Sequence, residues 1–116
     1  MLKSHFHFIG IGGIGMSAIA MGLLKKGYSV SGSDLVKNDE INKLKELGAV
    51  IFTSQSLENI KFVISKFTNK LINFVVSSAI KPENEEFSYC KEKNLSIKHR
   101  SEILAMLMRT YTLHLR

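Results

Sequence analysis

Hydrophobic positions along the 116 residues follow two alternating periods. Short apolar or alternating runs, bounded by glycine and polar residues, predict five strands, over residues 5–10, 28–34, 49–52, 71–79 and 95–99. Apolar residues at helical spacing between and after these runs predict five helices, over residues 14–27, 38–48, 56–67, 82–94 and 100–109. We expect residues 1–109 to form one domain and assign no structural pattern to the tail 110–116.

The strict alternation of strands and helices indicates the fold class. Each strand–helix–strand unit makes a right-handed crossover, which produces a parallel sheet covered on both faces. We therefore expect a Rossmann-like α/β domain of three layers, with a five-stranded parallel sheet between two layers of helices. Ligands in such folds bind at the carboxyl ends of the strands, where the strand order reverses.

Several residues suggest how the helices begin and which face they bury. Asn38 or Asp39 can cap the second helix, Pro82 suits the first position of the fourth, and Ser101 can cap the last. The apolar stripe of the first helix is predicted to consist of Ile14, Ala18, Met21 and Leu24.

Composition narrows the range of partners. A hydrophobic fraction of 45% with 22% charged residues is typical of a globular domain rather than a disordered chain. The net charge of +6 fits an anionic partner such as a nucleotide or phosphosugar, although lysines that only solvate the surface would produce the same value. The lysines form no block, so no nucleic-acid partner is expected.

A few residues indicate where the protein resides and whether it binds a metal. The uncharged stretch 8–24 has the length of a signal peptide, but its glycine density and the following Lys25 and Lys26 favour a folded element, so no membrane partner is expected. The single cysteine, Cys90, excludes an internal disulfide and suits a cytoplasmic protein. His5 and His7 share a strand face without a visible third ligand, so no metal site is expected.

A glycine-rich turn is the strongest functional motif. Gly10, Gly12 and Gly15 have the spacing of a dinucleotide-binding turn, with Gly13 as an extra glycine, and lie between the first strand and the first helix. The backbone N–H groups of residues 14–17 should point at a phosphate, assisted by the helix dipole and by the hydroxyl group of Ser17. The alternative is that these glycines serve only packing and turns.

Polar residues at other strand ends could complete the site. Asp34 lies where related folds place an acid on a ribose, although it could merely cap the next turn. Ser33 and Ser78 lie at the ends of the second and fourth strands. Arg100 follows the fifth strand and could face a diphosphate or solvate the surface.

The segments "HFIGIGGIGMSAIA", "GYSVSGSD", "LGAVIF", "VVSSAIKPENEE" and "HRSEILAMLMR" occur in an order and spacing that resemble the N-terminal domain of the Mur ligase family. This family consists of ATP-dependent enzymes of peptidoglycan synthesis. The resemblance covers residues 5–109 and implies binding of a UDP-sugar without a nicotinamide cofactor.

The resemblance also implies roles for particular residues. Ser33 and Asp34 would contact the uridine, and Ser78 and Arg100 would line the rest of the crevice. The UDP diphosphate would be held by Gly12, Gly13, Ile14, Gly15, Met16 and Ser17. The full-length enzyme would use ATP and magnesium to convert the carboxylate of UDP-N-acetylmuramate into an acyl phosphate, which the amine of L-alanine attacks.

The chain departs from the family pattern at its end. The family continues into a phosphate loop, whereas this chain reads "TYTLHLR" and contains no G-x-x-G-K-[ST] segment. We therefore expect it to bind UDP-N-acetylmuramate but no ATP, cofactor or metal, and to hold no catalytic residue. The segment 60–70 also looks longer than its family counterpart. Exposed apolar residues of the last helix are expected to favour self-association, namely Ile103, Leu104, Leu107 and Met108.

Two other functions fit parts of the pattern. A stand-alone NAD(H)-binding regulatory module would share the glycine turn and the acid, but would not explain "SSAIKPENEE" or "HRSE". A related ligase that acts on muramoyl peptides would share the glycine turn. Ligand preference separates the first of these from the UDP-sugar interpretation.

Overall fold

A computed structural model describes the backbone of residues 3–114 and the side chains of residues 3–110. This part of the chain contains the ten predicted elements in the predicted order. They are β1 (Ser4–Ile9), α1 (Met16–Lys25), β2 (Ser29–Ser33), α2 (Asp39–Glu46), β3 (Val50–Phe52), α3 (Leu57–Lys66), β4 (Leu71–Val76), α4 (Glu85–Glu92), β5 (Ile97–His99) and α5 (Arg100–His114).

The strands form one parallel sheet with the order β3-β2-β1-β4-β5. The chain starts in the middle at β1, moves outward through β2 to β3, and then returns to β4 on the other side of β1. The order therefore reverses between β1 and β4, where the loops diverge and leave a crevice at the carboxyl edge. The predicted three-layer, five-stranded α/β fold is confirmed.

Each face of the sheet carries its own apolar cluster. Phe6 and Phe8 of β1 pack with residues of α1, α2 and α5. Ile9 packs on the opposite face, in a cluster that includes residues of α3 and α4. Because side chains alternate along a strand, His5 and His7 face the α3 and α4 side and are fully buried.

The predicted stripe of α1 was wrong. The helix begins at Met16, so Ile14 precedes it and is fully exposed. Ala18 is also exposed, and Met21 and Leu24 are only partly buried. The buried face consists of Met16, Ile19, Ala20 and Leu23. The glycine turn delays the start of the helix, and this shifts the face that meets the sheet.

Of the three helix starts predicted from capping residues, only that of α2 is confirmed. Asn38 caps α2, since its side chain accepts a hydrogen bond from the N–H of Ile41 at 2.9 Å. Pro82 does not begin α4, because Asn84 is the cap and accepts from the N–H of Phe87 at 3.1 Å. Ser101 lies inside the first turn of α5, which begins at Arg100.

The last helix is longer than predicted and more deeply packed. It continues to His114, so residues 110–114 are helical rather than without pattern. Ile103 and Leu107 are buried, while Leu104 and Met108 are exposed. Self-association therefore stays a prediction that depends on the latter two residues. None of the helices within residues 3–114 is long and apolar enough to cross a membrane.

Candidate functional site: a crevice at the carboxyl edge of the sheet

The glycine turn is attached to the end of β2. The N–H groups of Gly10 and Ile11 both donate to the carbonyl oxygen of Ser33, each at 2.9 Å. Gly10 and Gly15 have positive φ angles of 84° and 83°, a backbone conformation that glycine adopts without steric cost. The turn is therefore built by backbone geometry that the glycines permit.

Not all the predicted phosphate donors are available. The N–H groups of Met16 and Ser17 donate to the carbonyl oxygen of Gly13, at 3.1 and 3.4 Å. The amides of Ile14 and Gly15 have no hydrogen-bond partner among the residues that the structure describes. The four-amide expectation is thus corrected to two amides, which lie at the exposed tip of the turn.

Asp34 braces the glycine turn. Its Oδ2 accepts a hydrogen bond from the N–H of Gly12 at 2.8 Å, and its Oδ1 accepts from the N–H of Val36 at 3.0 Å. A methyl group placed on Gly12 would lie only 2.9 Å from that Oδ2, so the close approach requires glycine. Asp34 therefore caps its own turn and also holds the glycine turn, while its contact with uridine stays a prediction.

Arg100 reaches the glycine turn from the start of α5. A methyl group placed on Gly15 would lie 3.2 Å from the Nη1 atom of Arg100. The guanidinium group therefore lies against the segment that carries the unpaired Ile14 and Gly15 amides. The structure brings together a fixed positive charge and two backbone donors, which is the chemistry that binds phosphate.

Ser78 is tied to a histidine that sequence reasoning missed. The exposed Ser78 places its Oγ 3.1 Å from Nε2 of His99, the last residue of β5. The Nδ1 atom of His99 lies 2.8 Å from Oγ of Ser101 and accepts from the Ser101 N–H at 3.2 Å. The backbone N–H of His99 donates to Glu102 at 2.8 Å. The only sequence signal was its place at a strand end, directly before Arg100.

A cavity of about 320 Å³ adjoins this edge of the sheet and is lined mostly by the loop after β4, including Lys81. Ile80 and Gln55 in its lining also approach Gly10, since a methyl group there would lie 3.1 Å and 4.0 Å from their side chains. The cavity therefore adjoins the Gly10 end of the glycine turn.

Ser33 lies in the interior rather than in the crevice. Its side chain is fully buried, and its hydroxyl group donates to Oε1 of Glu86 at 3.0 Å. Like the side chain of Met16, which is buried in the apolar core, the Ser33 side chain points away from the loop cluster. Its contact with uridine stays a prediction that this placement does not support.

Glu86 is the centre of a buried polar cluster that the sequence did not reveal. Its Oε1 also accepts from Nε2 of His7 at 2.8 Å, and its Oε2 accepts from Nδ2 of Asn59 at 2.9 Å. Both histidines lie within hydrogen-bond distance of the Ser31 hydroxyl group, at 2.8 Å for His5 and 2.7 Å for His7. We call this set the buried histidine network, consisting of His5, His7, Ser31, Ser33, Asn59 and Glu86.

The interior shifts the protonation of two groups. Burial, with smaller effects from His7 and Lys70, lowers the pKa of His5 to about 3. Burial and the neighbouring Glu86 raise the pKa of the Cys90 thiol to about 12. Among the side chains that the structure describes, those of residues 3–110, no group of three or more histidine, cysteine, aspartate or glutamate residues could hold a metal ion.

Comparisons with known proteins place the chain in a family. The profile described as "Mur ligase family, catalytic domain" matches residues 5–112. The UDP-N-acetylmuramate–L-alanine ligase of Prochlorococcus marinus subsp. pastoris is 71% identical over 110 residues, which is 95% of this chain and 23% of that protein. The chain therefore spans about a quarter of the length of this relative.

Solved structures agree with the fold. The UDP-N-acetylmuramate-alanine ligase of Thermotoga maritima matches with a TM-score of 0.75 and 26% identity, over 91% of this chain and 23% of that one. A murein peptide ligase of Psychrobacter arcticus also reaches 0.75, at 21% identity over 88% of this chain and 20% of that one, which supports the fold alone. With nearly the whole sequence matched by the family profile, the chain belongs to the Mur ligase family.

Proposed function

We propose that the crevice binds UDP-N-acetylmuramate and that the glycine turn and Arg100 hold its diphosphate. The observation that carries this proposal is the position of the Arg100 guanidinium group, 3.2 Å from the site of a methyl group on Gly15. An arginine beside unpaired backbone amides attracts phosphate oxygens through charge and hydrogen bonds together. The basic net charge of +6 adds a weaker attraction over a longer distance.

In this proposal the uridine lies on the Asp34 side of the turn. Each Asp34 oxygen already accepts one hydrogen bond from the backbone, at 2.8 and 3.0 Å. A carboxylate oxygen can accept a second bond, so a ribose hydroxyl group or a uracil N–H could still bind there. Asp34 would then join the ligand to the turn that holds its phosphates.

We further propose that this chain supplies the UDP-sugar site of an enzyme that adds L-alanine to UDP-N-acetylmuramate. The relative from Prochlorococcus marinus subsp. pastoris carries that name, and the chain covers 23% of it. ATP and magnesium would form the acyl phosphate in parts of the enzyme beyond the matched region. The proposed location is the cytoplasm, in keeping with a single buried, reduced Cys90.

Isothermal titration of this chain with UDP-N-acetylmuramate tests the proposal. We expect binding that Arg100→Ala weakens by about 10- to 100-fold, the loss of a charge-assisted hydrogen bond. Arg109→Ala is the matched control, since Arg109 is an exposed arginine on the same helix, and it should change the affinity by less than about twofold.

Parallel titrations with NAD and ATP test the competing ligands. Binding of NAD without binding of the UDP-sugar would overturn the proposal in favour of a regulatory nucleotide module. If none of the three ligands binds, the claim that these residues form a site without further domains is contradicted.

A further inference from the structure

The contacts of the His99 ring define which nitrogen carries its proton. The backbone N–H of Ser101 donates to Nδ1 of His99 at 3.2 Å. An amide N–H can only donate, so this contact assigns the lone pair to Nδ1, and the Ser101 hydroxyl group, 2.8 Å from the same nitrogen, then donates to it as well. The proton of the neutral ring is therefore on Nε2, the nitrogen that lies 3.1 Å from Oγ of Ser78.

This tautomer determines what Ser78 can do. Since Nε2 of His99 donates, the Ser78 oxygen accepts, and the serine keeps its own hydroxyl proton for another acceptor. Ser78 is exposed, and His99 is joined through the chain to Arg100, which lies against the glycine turn. Ser78 follows β4 and Arg100 follows β5, and these two strands are parallel neighbours, so both residues lie at the carboxyl edge of the sheet.

We propose that His99 is a positioning residue, which holds the Ser78 hydroxyl group as a hydrogen-bond donor to the bound ligand. This inference rests on the proposed function, because the acceptor would be an oxygen of UDP-N-acetylmuramate. The Arg100 guanidinium, the Ile14 and Gly15 amides and the Ser78 hydroxyl group would then all donate. A site made of donors selects a ligand rich in acceptor oxygens, as a diphosphate sugar is.

A purely structural role for His99 predicts different results. The ring also caps α5, through its contact with the Ser101 N–H and with the Ser101 hydroxyl group. Asparagine is a strong helix cap whose Oδ1 can replace Nδ1, but its side chain is too short to replace Nε2. Glutamine can place a donor near the position of Nε2. These two substitutions therefore separate the cap from the contact with Ser78.

Titrations with UDP-N-acetylmuramate of single and double variants test the proposal. We expect Ser78→Ala and His99→Asn each to weaken binding by about 5- to 10-fold, the effect of one hydrogen bond. The affinity of the double variant should be within about twofold of that of Ser78→Ala, because both substitutions remove the same contact. His99→Gln should restore most of the affinity. Independent effects that multiply, or equal losses in His99→Asn and His99→Gln, would overturn the proposal.

The tautomer is measured separately from ligand binding. A long-range ¹H–¹⁵N correlation spectrum recorded at a pH of about 8 should show His99 protonated on Nε2. His99→Asn identifies the signal by its disappearance. Protonation on Nδ1 would overturn the inference whatever the ligand data show. A wild-type chain that does not bind the UDP-sugar, with the Nε2 tautomer present, would overturn the proposed function and the ligand contact but leave the tautomer of His99 established.

Discussion

The buried histidine network and the His99–Ser78 pair use the same residue types for different ends. In the network, Glu86 accepts from His7, Ser33 and Asn59, and no buried side-chain nitrogen or oxygen atom among the described residues lacks a partner. In the crevice, the Ser78 hydroxyl group is exposed and can still donate. The comparison shows that burial, not residue type, decides whether a histidine–serine contact holds the fold or is available to a ligand.

Removal of Glu86 should have the largest effect on this comparison. Glu86→Leu leaves His7, Ser33 and Asn59 without their buried acceptor, and we expect a loss of about 3–5 kcal/mol in the free energy of unfolding. Urea denaturation measures this loss. Glu85→Leu, an exposed neighbour on the same helix, should cost less than about 1 kcal/mol. Equal losses in the two variants would refute a structural role for the network.

Acid should destabilise the network through His5. The unfolded chain protonates His5 near its ordinary pKa of 6.5, whereas the folded chain does so only near 3. The unfolded state binds more protons between these values, so stability is complete above about pH 6.5 and decreases toward pH 3. The slope from this one group reaches about 1.4 kcal/mol per pH unit.

Urea denaturation between pH 7.5 and pH 5 checks this dependence. His5→Gln keeps a hydrogen-bonding side chain but cannot titrate, so its unfolding free energy should fall less steeply than that of the wild type. Parallel curves for the two proteins would show that His5 does not carry the acid sensitivity.

Replacement of Asp34 should affect both the stability of the fold and the binding of the ligand. Asp34→Ala removes the acceptor of the Gly12 and Val36 amides, but Asp34 is only partly buried and water can replace it. We therefore expect a loss of about 1 kcal/mol in stability and a larger loss in affinity for UDP-N-acetylmuramate. Asp34→Asn, which keeps one acceptor oxygen, should lose less of both. A stability loss as large as that of Glu86→Leu would place Asp34 with the network instead.

The reactivity of the Cys90 thiol should report on the buried histidine network, with a smaller expected effect than the substitutions above. Its thiol is buried and its pKa is raised to about 12, so it should stay protonated and unreactive at pH 8. Labelling with a thiol-reactive disulfide reagent should proceed only as fast as the protein opens, and urea should accelerate it. Immediate labelling of the native protein would show that the interior beside Glu86 is accessible.

The crevice was easier to anticipate than the network, and the reason lies in the distance between the interacting residues. The glycine turn and Asn38 act on neighbours along the chain, so their spacing alone indicated a turn and a helix cap. His7 and Glu86 are 79 residues apart and meet only because β1 and α4 pack against each other. The sequence places Ser33 in the crevice because it lies at the end of the second strand, whereas its buried partner Glu86 is 53 residues away along the chain.

The sequence by itself determined the alternation of strands and helices, the parallel sheet and the location of the glycine turn. These follow from local periods and from glycines whose backbone angles other residues rarely adopt. Only the tertiary structure decided which face of each element is buried, that Arg100 lies against Gly15, and that His99 contacts Ser78 whereas Ser33 contacts Glu86. Those relations depend on contacts between residues that are far apart along the chain, which no local pattern encodes.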